Sequence, residues 1–223
     1  MELRPRGGGD SGGGKGTSGE SEGSYPLMRL VRSWVFALGA LPTLLQSVGP
    51  PDSYTRASER QLDSLYAPLV YLMRRDEQGV YPSLTLEGKR AFLRDFWARR
   101  NPTPGGTKNA AADEFDTRLA YVNHNFREEV AGAREVAGWR TDRGRIYLEE
   151  GPPDIVLFRR WPKAPLPFQV WKYMKGKPRK YVFVDVTLYG NFVLVYSSDE
   201  REPTRPDWTL LVGADASREI ERF

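Results

Sequence analysis

Residues 138–154 read GWRTDRGRIYLEEGPPD, and two differently patterned halves of the chain meet there. The run opens on Gly138, Trp139, Thr141 and Asp142 and closes on Gly151, Pro152, Pro153 and Asp154. Thr141-Asp142-Arg143-Gly144 carries turn chemistry, because Thr and Asp side chains accept backbone N–H bonds and Gly tolerates positive φ. Arg145–Glu150 alternates, with Ile146 and Leu148 on one face, which predicts a short strand. Gly151-Pro152-Pro153-Asp154 then turns the chain, and Ile155–Phe158 leaves it as a second strand. Asp142, held by Arg143 or Arg145 and by turn amides, would fix the entry to the first strand. Trp139 would pack beneath it as an aromatic anchor.

Downstream, Phe168–Tyr173, Tyr181–Val186 and Phe192–Tyr196 have strand patterns. Tyr189-Gly190-Asn191 is a hairpin turn between the last two. Trp208–Val212 predicts a final short strand, and 213–223 a tail. Consecutive strands joined by local turns argue for an antiparallel sheet in the region 138–212.

Upstream, residues 54–137 repeat at helical spacing. Leu62, Leu65, Tyr66, Leu69, Val70 and Met73 form one face of a helix within Tyr54–Arg75, kinked at Pro68. Thr85 caps a second helix that stops near Arg100, before Asn101-Pro102-Thr103-Pro104-Gly105-Gly106. Phe115, Leu119, Val122 and Phe126 align along a third, from Asn109 to about Glu129. The expected class is α+β, a helical N-terminal half followed by a mostly antiparallel sheet.

The spacing Gly138-Trp139-x-Thr141-Asp142, followed by Gly151-Pro152-Pro153-Asp154, resembles the signature of the bacterial GWxTD-domain family. Phe96-Trp97-Ala98-Arg99-Arg100-Asn101-Pro102-Thr103-Pro104 is similar to the FWxxRDPxP-like segment that precedes it in that family. Asn101 stands where the family usually has Asp, which argues against an essential carboxylate there. The resemblance spans roughly residues 60–196 and implies an exported protein, with no defined reaction.

The N-terminal region reads differently. Residues 1–24 hold nine glycines and no large apolar side chain beyond Met1 and Leu3. Such a stretch cannot offset its backbone entropy by burial, and 1–27 is expected to be a disordered or mis-annotated leader. From Met28, the sequence MRLVRSWVFALGALPTLLQSVG has Arg29 and Arg32 ahead of an uncharged apolar stretch, the pattern of a signal peptide over 28–49. Met28 is then the expected start, and the protein is expected to be periplasmic or secreted. Membrane contact would come only through an uncleaved N-terminal segment.

Several chemistries are absent from the sequence. There is no cysteine and one histidine, His124, in mid-helix without a nucleophile elbow. A zinc site would need three carboxylates, and neither EF-hand nor phosphate-loop spacing occurs. No metal, cofactor or catalytic residue is assigned. The net charge of +4 lies in short doublets such as Arg159-Arg160 rather than in a nucleic-acid-binding arm. Gly138, Trp139, Thr141, Asp142, Arg143, Gly144, Gly151, Pro152 and Asp154 are read as structural. Trp161, Trp171 and Tyr173, interleaved with lysines and arginines, are the candidate binding surface. The expected function is a non-catalytic cell-envelope binding or scaffold protein, with a protein partner or an envelope polymer and no nucleic acid. The alternative is an envelope hydrolase acting on glycan or peptide through carboxylates among Asp142, Glu149, Glu150, Asp154 and Asp185.

Overall fold

A computed structural model describes residues 54–106, 108–129 and 135–223. The expected leader (1–27) and signal peptide (28–49) lie outside the described residues. Among the described residues no helix is long and apolar enough to cross a membrane.

The chain is α+β as expected. Helix α1 (Glu59–Tyr66) starts at a capping box: the Ser58 hydroxyl accepts from Gln61 N, while the Gln61 side chain accepts from Ser58 N. At Pro68 the helix tightens into a 3-10 segment, Ala67–Leu72. Thr85 caps α2 (Leu86–Arg100), which ends ahead of Asn101-Pro102. The Asn109 side chain caps α3 (Ala110–Asn125) and also donates to Trp97 O, tying α3 to α2.

The sheet has four antiparallel strands in sequence order: β1 (Ile155–Arg159), β2 (Phe168–Tyr173), β3 (Arg179–Asp185) and β4 (Phe192–Ser197). On β4, Tyr196 faces Val182 and Leu194 faces Phe183, so Val195 is an extra, bulged residue. One face of the sheet (Trp171, Tyr173, Tyr181, Phe183 and Phe192) shares a core with Leu62, Leu93, Phe96, Phe115 and Val122 of the helical half. The other (Phe168, Val170, Val182, Val184 and Val195) packs on Val212, Ala216 and Ile220.

Those last residues lie in helices. Trp208–Val212 is helix α5, not a strand, and 213–223 is not a tail, because α6 (Ala214–Arg222) occupies it. Ala216 and Ile220 stand four apart and cover the second face, while Arg218 and Arg222 face outward. A strand reading fails here because the second face of β2 and β3 needs a cover. An amphipathic helical turn supplies it, overriding the β-preference of a short apolar run.

The larger correction falls at the junction. Arg145–Glu150 is not a strand, for residues Asp142–Glu150 form helix α4. The Thr141-Asp142-Arg143-Gly144 turn is its N-terminus, with the Thr141 side chain accepting from Gly144 N at 3.1 Å. Turn chemistry and cap chemistry are the same hydrogen bond in two settings. Alternation misled because α4 touches α3, β4, the 138–140 turn and the 67–72 segment. Burial on several sides hides Ile146 and Leu148 alike, although they project about 200° apart on a helix.

Candidate functional site

The spacing of the 138–154 run has a geometric origin. Residues 138–140 form one 3-10 turn that lies against the C-terminal end of α3. A Cβ on Gly138 would sit 1.8 Å from Val122 O, so only a hydrogen fits. Trp139 N donates to the Asn123 side chain at 3.2 Å. The Trp139 ring, half-buried, meets Tyr71 edge-on at 6.1 Å, and the Arg140 guanidinium lies 4.8 Å from its centre. Trp139 thus anchors the turn onto the helical half.

Thr141 is buried and uses its hydroxyl twice, donating to Gly138 O at 2.8 Å and accepting from Gly144 N. Gly144 is the second steric requirement, since a Cβ there would lie 1.8 Å from Gly138 O. Thr141→Ala removes both bonds and is expected to cost about 1–2 kcal/mol. Thr141→Ser should restore most of that loss, which chemical denaturation of the full chain would measure.

Among the described residues no arginine forms an ion pair with Asp142. It sits in the first turn of α4, where the helix dipole favours a carboxylate. Its Oδ2 accepts from Leu194 N of β4 at 2.7 Å. The Glu128 carboxylate accepts from Phe192 N at 3.1 Å, two residues along the same edge. At the bulge Val195 O accepts from Arg205 N, and past it Ser197 N donates to the Thr204 hydroxyl. The outer edge of β4 is therefore closed by two carboxylates and by the segment before α5, one established way of blocking strand addition. Burial holds the Glu128 carboxyl above the usual range, with Arg143 opposing the rise.

Arg143 is only 6% exposed. Its guanidinium lies 4.9 Å from the Phe126 ring and 4.2 Å from that of Phe192, and donates to Gly190 O at 3.2 Å. Burial pulls its pKa down to about 10, with Glu128 and Asp185 opposing. It remains a cation at neutral pH, held between two aromatic faces.

The closing residues act likewise. Gly151, at φ 83°, ends α4, and its carbonyl accepts from the buried Tyr173 hydroxyl at 2.9 Å. Arg118 donates to Leu148 O at that same helix end, a favourable place for a cation. Pro152 is exposed where the chain leaves α4. Asp154 Oδ2 accepts from Met174 N at 2.7 Å, bracing the start of β1 against the end of β2.

The remaining carboxylates with an expected catalytic alternative each have partners of their own. Glu150 pairs with Arg179 at 2.6 Å. Asp185 accepts from Thr187 N, the Thr187 hydroxyl and Gly190 N, shaping the β3–β4 turn. Glu149 stands 3.7 Å from Arg145, whose main partner is Glu202 at 2.6 Å. Burial raises the Glu149 pKa, with Arg145 opposing and Glu202 adding to the rise. Among the described residues no group of acidic or histidine side chains is arranged to hold a metal, and His124 is exposed on α3. An open depression of about 330 Å³ is lined by Lys175, Gly176, Lys177, Arg179, Ser198, Asp199 and Arg201. No residue of 138–154 contributes to it.

The candidate binding aromatics divide. Trp171 (2% exposed) and Tyr173 (4%) are core residues and not a surface, because odd positions of β2 face the helical half. Trp161 is 80% exposed. Beside it in sequence, Val156 (51%) and Phe158 (46%) are open on β1. Ile155–Phe158 reads as an unbroken apolar run, the pattern of a strand buried on both faces. At the sheet edge it is instead the least covered strand.

Fold and site together define an α+β domain in which a Gly-Trp-x-Thr-Asp turn joins three elements: the end of α3, the start of α4 and the edge of β4. Residues 49–203 match the family model of the GWxTD domain, and the chain belongs to that family. No curated protein and no solved structure matches it.

Proposed function

We propose that the protein is a non-catalytic binding or scaffold module of the cell envelope, exported by the segment that begins at Met28, and that it works through the free edge of its sheet. The observation that carries this reading is the asymmetry of the two edges. Side chains and a backing segment close β4, whereas β1 and the turn after it present Val156, Phe158 and Trp161 to solvent. Exposed apolar side chains grouped on one strand mark interaction surfaces more often than active sites. The rival, a glycan or peptide hydrolase, needs two carboxylates free to act across a cleft. Asp142, Glu150, Asp154 and Asp185 are each engaged by backbone amides or an arginine.

Phe158→Glu and Trp161→Ala are expected to leave the melting temperature within a few degrees and to abolish retention of the full chain on an envelope fraction. Unchanged retention would overturn the binding surface. Release of soluble glycan or peptide fragments by the wild-type chain, lost in Glu149→Gln, would establish the hydrolase in its place.

A further inference from the structure

The direction of each peptide group on β1 follows from its neighbours. Asp185 N donates to Pro167 O, so the odd positions of β2 turn their peptide groups to β3 and the even positions turn theirs to β1. Asp154 N donates to Lys172 O, in agreement. Through the register Ile155↔Lys172, Leu157↔Val170 and Arg159↔Phe168, the peptide groups of Ile155, Leu157 and Arg159 point into the sheet. Those of Val156 and Phe158 point out. Among the described residues no other strand pairs with them, because β1 is the terminal strand, although Phe158 O accepts from the Arg159 guanidinium at 2.9 Å and keeps one lone pair for a further donor.

From this edge we infer that two copies of the chain join, antiparallel, through β1, about a two-fold axis at Leu157, forming one continuous sheet across the pair. This deepens the binding reading above and rests on it, naming a second copy as the partner of the same edge. Three features select that occupant and register. First, pairing about Leu157 sets Val156 opposite Phe158 of the second copy, and these are the residues whose peptide groups point away from the sheet and meet no strand. Each pair exchanges both of its N–H···O=C bonds, and two-fold symmetry repeats the exchange.

Second, the charges are self-complementary. Asp154, just before the strand, comes level with Arg160 of the second copy, just after it, and the reverse holds at the other end. Both are exposed. Arg159 is not left to repel its counterpart, since Glu219 of α6 already pairs with it.

Third, prolines bracket the strand. Pro152 and Pro153 lie before it and Pro162 after it, and none can donate a ladder bond. A two-residue slip sets Arg160 of one copy against Pro152 or Val156 of the other and forfeits the charge match. Register is thus defined by the flanks, while the centre stays apolar.

The chain has no cysteine, so a single introduced thiol reports its neighbours without background. At the two-fold axis Leu157 faces Leu157 as a non-hydrogen-bonded pair, with Cα atoms about 4.5 Å apart, within disulfide reach. Ile155 faces Arg159 of the other copy instead. Under mild oxidation, full-chain Leu157→Cys should form a covalent dimer at least tenfold faster than Ile155→Cys. Sedimentation of the wild-type chain should show a dimer. Arg160→Asp should weaken it about tenfold, equivalent to ~1.4 kcal/mol.

Equal cross-linking of the two cysteine variants would overturn the register. A wild-type chain that sediments only as a monomer would overturn the pairing even if Leu157→Cys fails to fold. If that monomer still loses envelope retention in Phe158→Glu, the self-pairing falls and the binding surface stands. If retention is also unchanged, both fall.

Discussion

Gly144→Ala is expected to destabilise the domain by more than about 3 kcal/mol, a large share of the roughly 5–15 kcal/mol that holds an ordinary domain folded. Helix propensity alone predicts the opposite sign, since Gly144 lies inside α4 and Ala is the better helix former by ~1 kcal/mol. The steric term decides. The new Cβ would lie 1.8 Å from Gly138 O and 2.7 Å from its carbonyl carbon, both backbone atoms that no rotamer change can move. Relief would require the 138–140 turn to retreat from α4, but that turn is itself pressed on α3 through Gly138. Thermal unfolding of the purified variant would show the loss as a large fall in Tm or as failure to recover folded protein. A variant as stable as the wild type would mean that the close approach does not exist.

The second large effect lies away from the family run. Glu77→Ala is expected to cost about 3–5 kcal/mol, because it strands a partly buried cation. Glu77 is buried and accepts from Arg74 N at 2.9 Å, from Arg99 at 2.8 Å and from both terminal nitrogens of Arg100. Arg100 also donates to Leu72 O and Phe96 O, and its guanidinium lies 3.6 Å from the Phe96 ring centre. These contacts fix the 67–72 segment to the end of α2. The hydrogen bonds from Arg100 lead in drawing the Glu77 pKa from 4.5 to about 2, against the desolvation that burial imposes. A carboxylate depressed on folding contributes stability that is complete above its unfolded pKa and is lost as pH falls through its folded value. The contribution should therefore be full above about pH 4.5 and decline toward pH 2. Glu77→Gln should flatten that part of the acid-denaturation curve, and an unchanged acid limb would contradict the role assigned to Glu77.

The helical half was legible because each signal is local. Thr85 and Asn109 cap the helices whose starts they mark, and Pro68 tightens the first into a 3-10 segment, although the capping box at Ser58 that sets the start of α1 was not read. The four strands were legible from their apolar patterns and the turns between them. Helix α4 was not, because its apolar spacing reflects neighbours on several sides, and those neighbours come from α3 and β4, distant in sequence. Helix α6 was hidden for a related reason: nothing in 213–223 shows that the second face of the sheet lacks a cover. The bond from Leu194 N to Asp142 spans 52 residues and is invisible to any local pattern. Turn propensity identified Thr141 and Asp142 as backbone acceptors but not the donors they would meet. Trp171 and Tyr173 were misplaced onto a surface because interleaved charge was read as a face, while β2 alternates between two buried sides. Glu77 and Glu128 carry no sequence mark at all, since each acts through partners that only the tertiary structure supplies.

The family run is thus a joint. Gly138 and Gly144 permit contact, Thr141 starts α4, Trp139 holds the turn to the helical half, and Asp142 secures α4 to β4. The most direct test follows the last of these links. In Asp142→Ala, Leu194 N loses its acceptor at a cost of about 1–3 kcal/mol. Amide hydrogen exchange at Leu194 should accelerate by at least tenfold, selectively over the central strand residues Val170 and Val182, with a lower Tm. Exchange at Leu194 and a Tm that both match the wild type would contradict a structural role for Asp142 and return the carboxylate to candidacy as a ligand-binding or catalytic group.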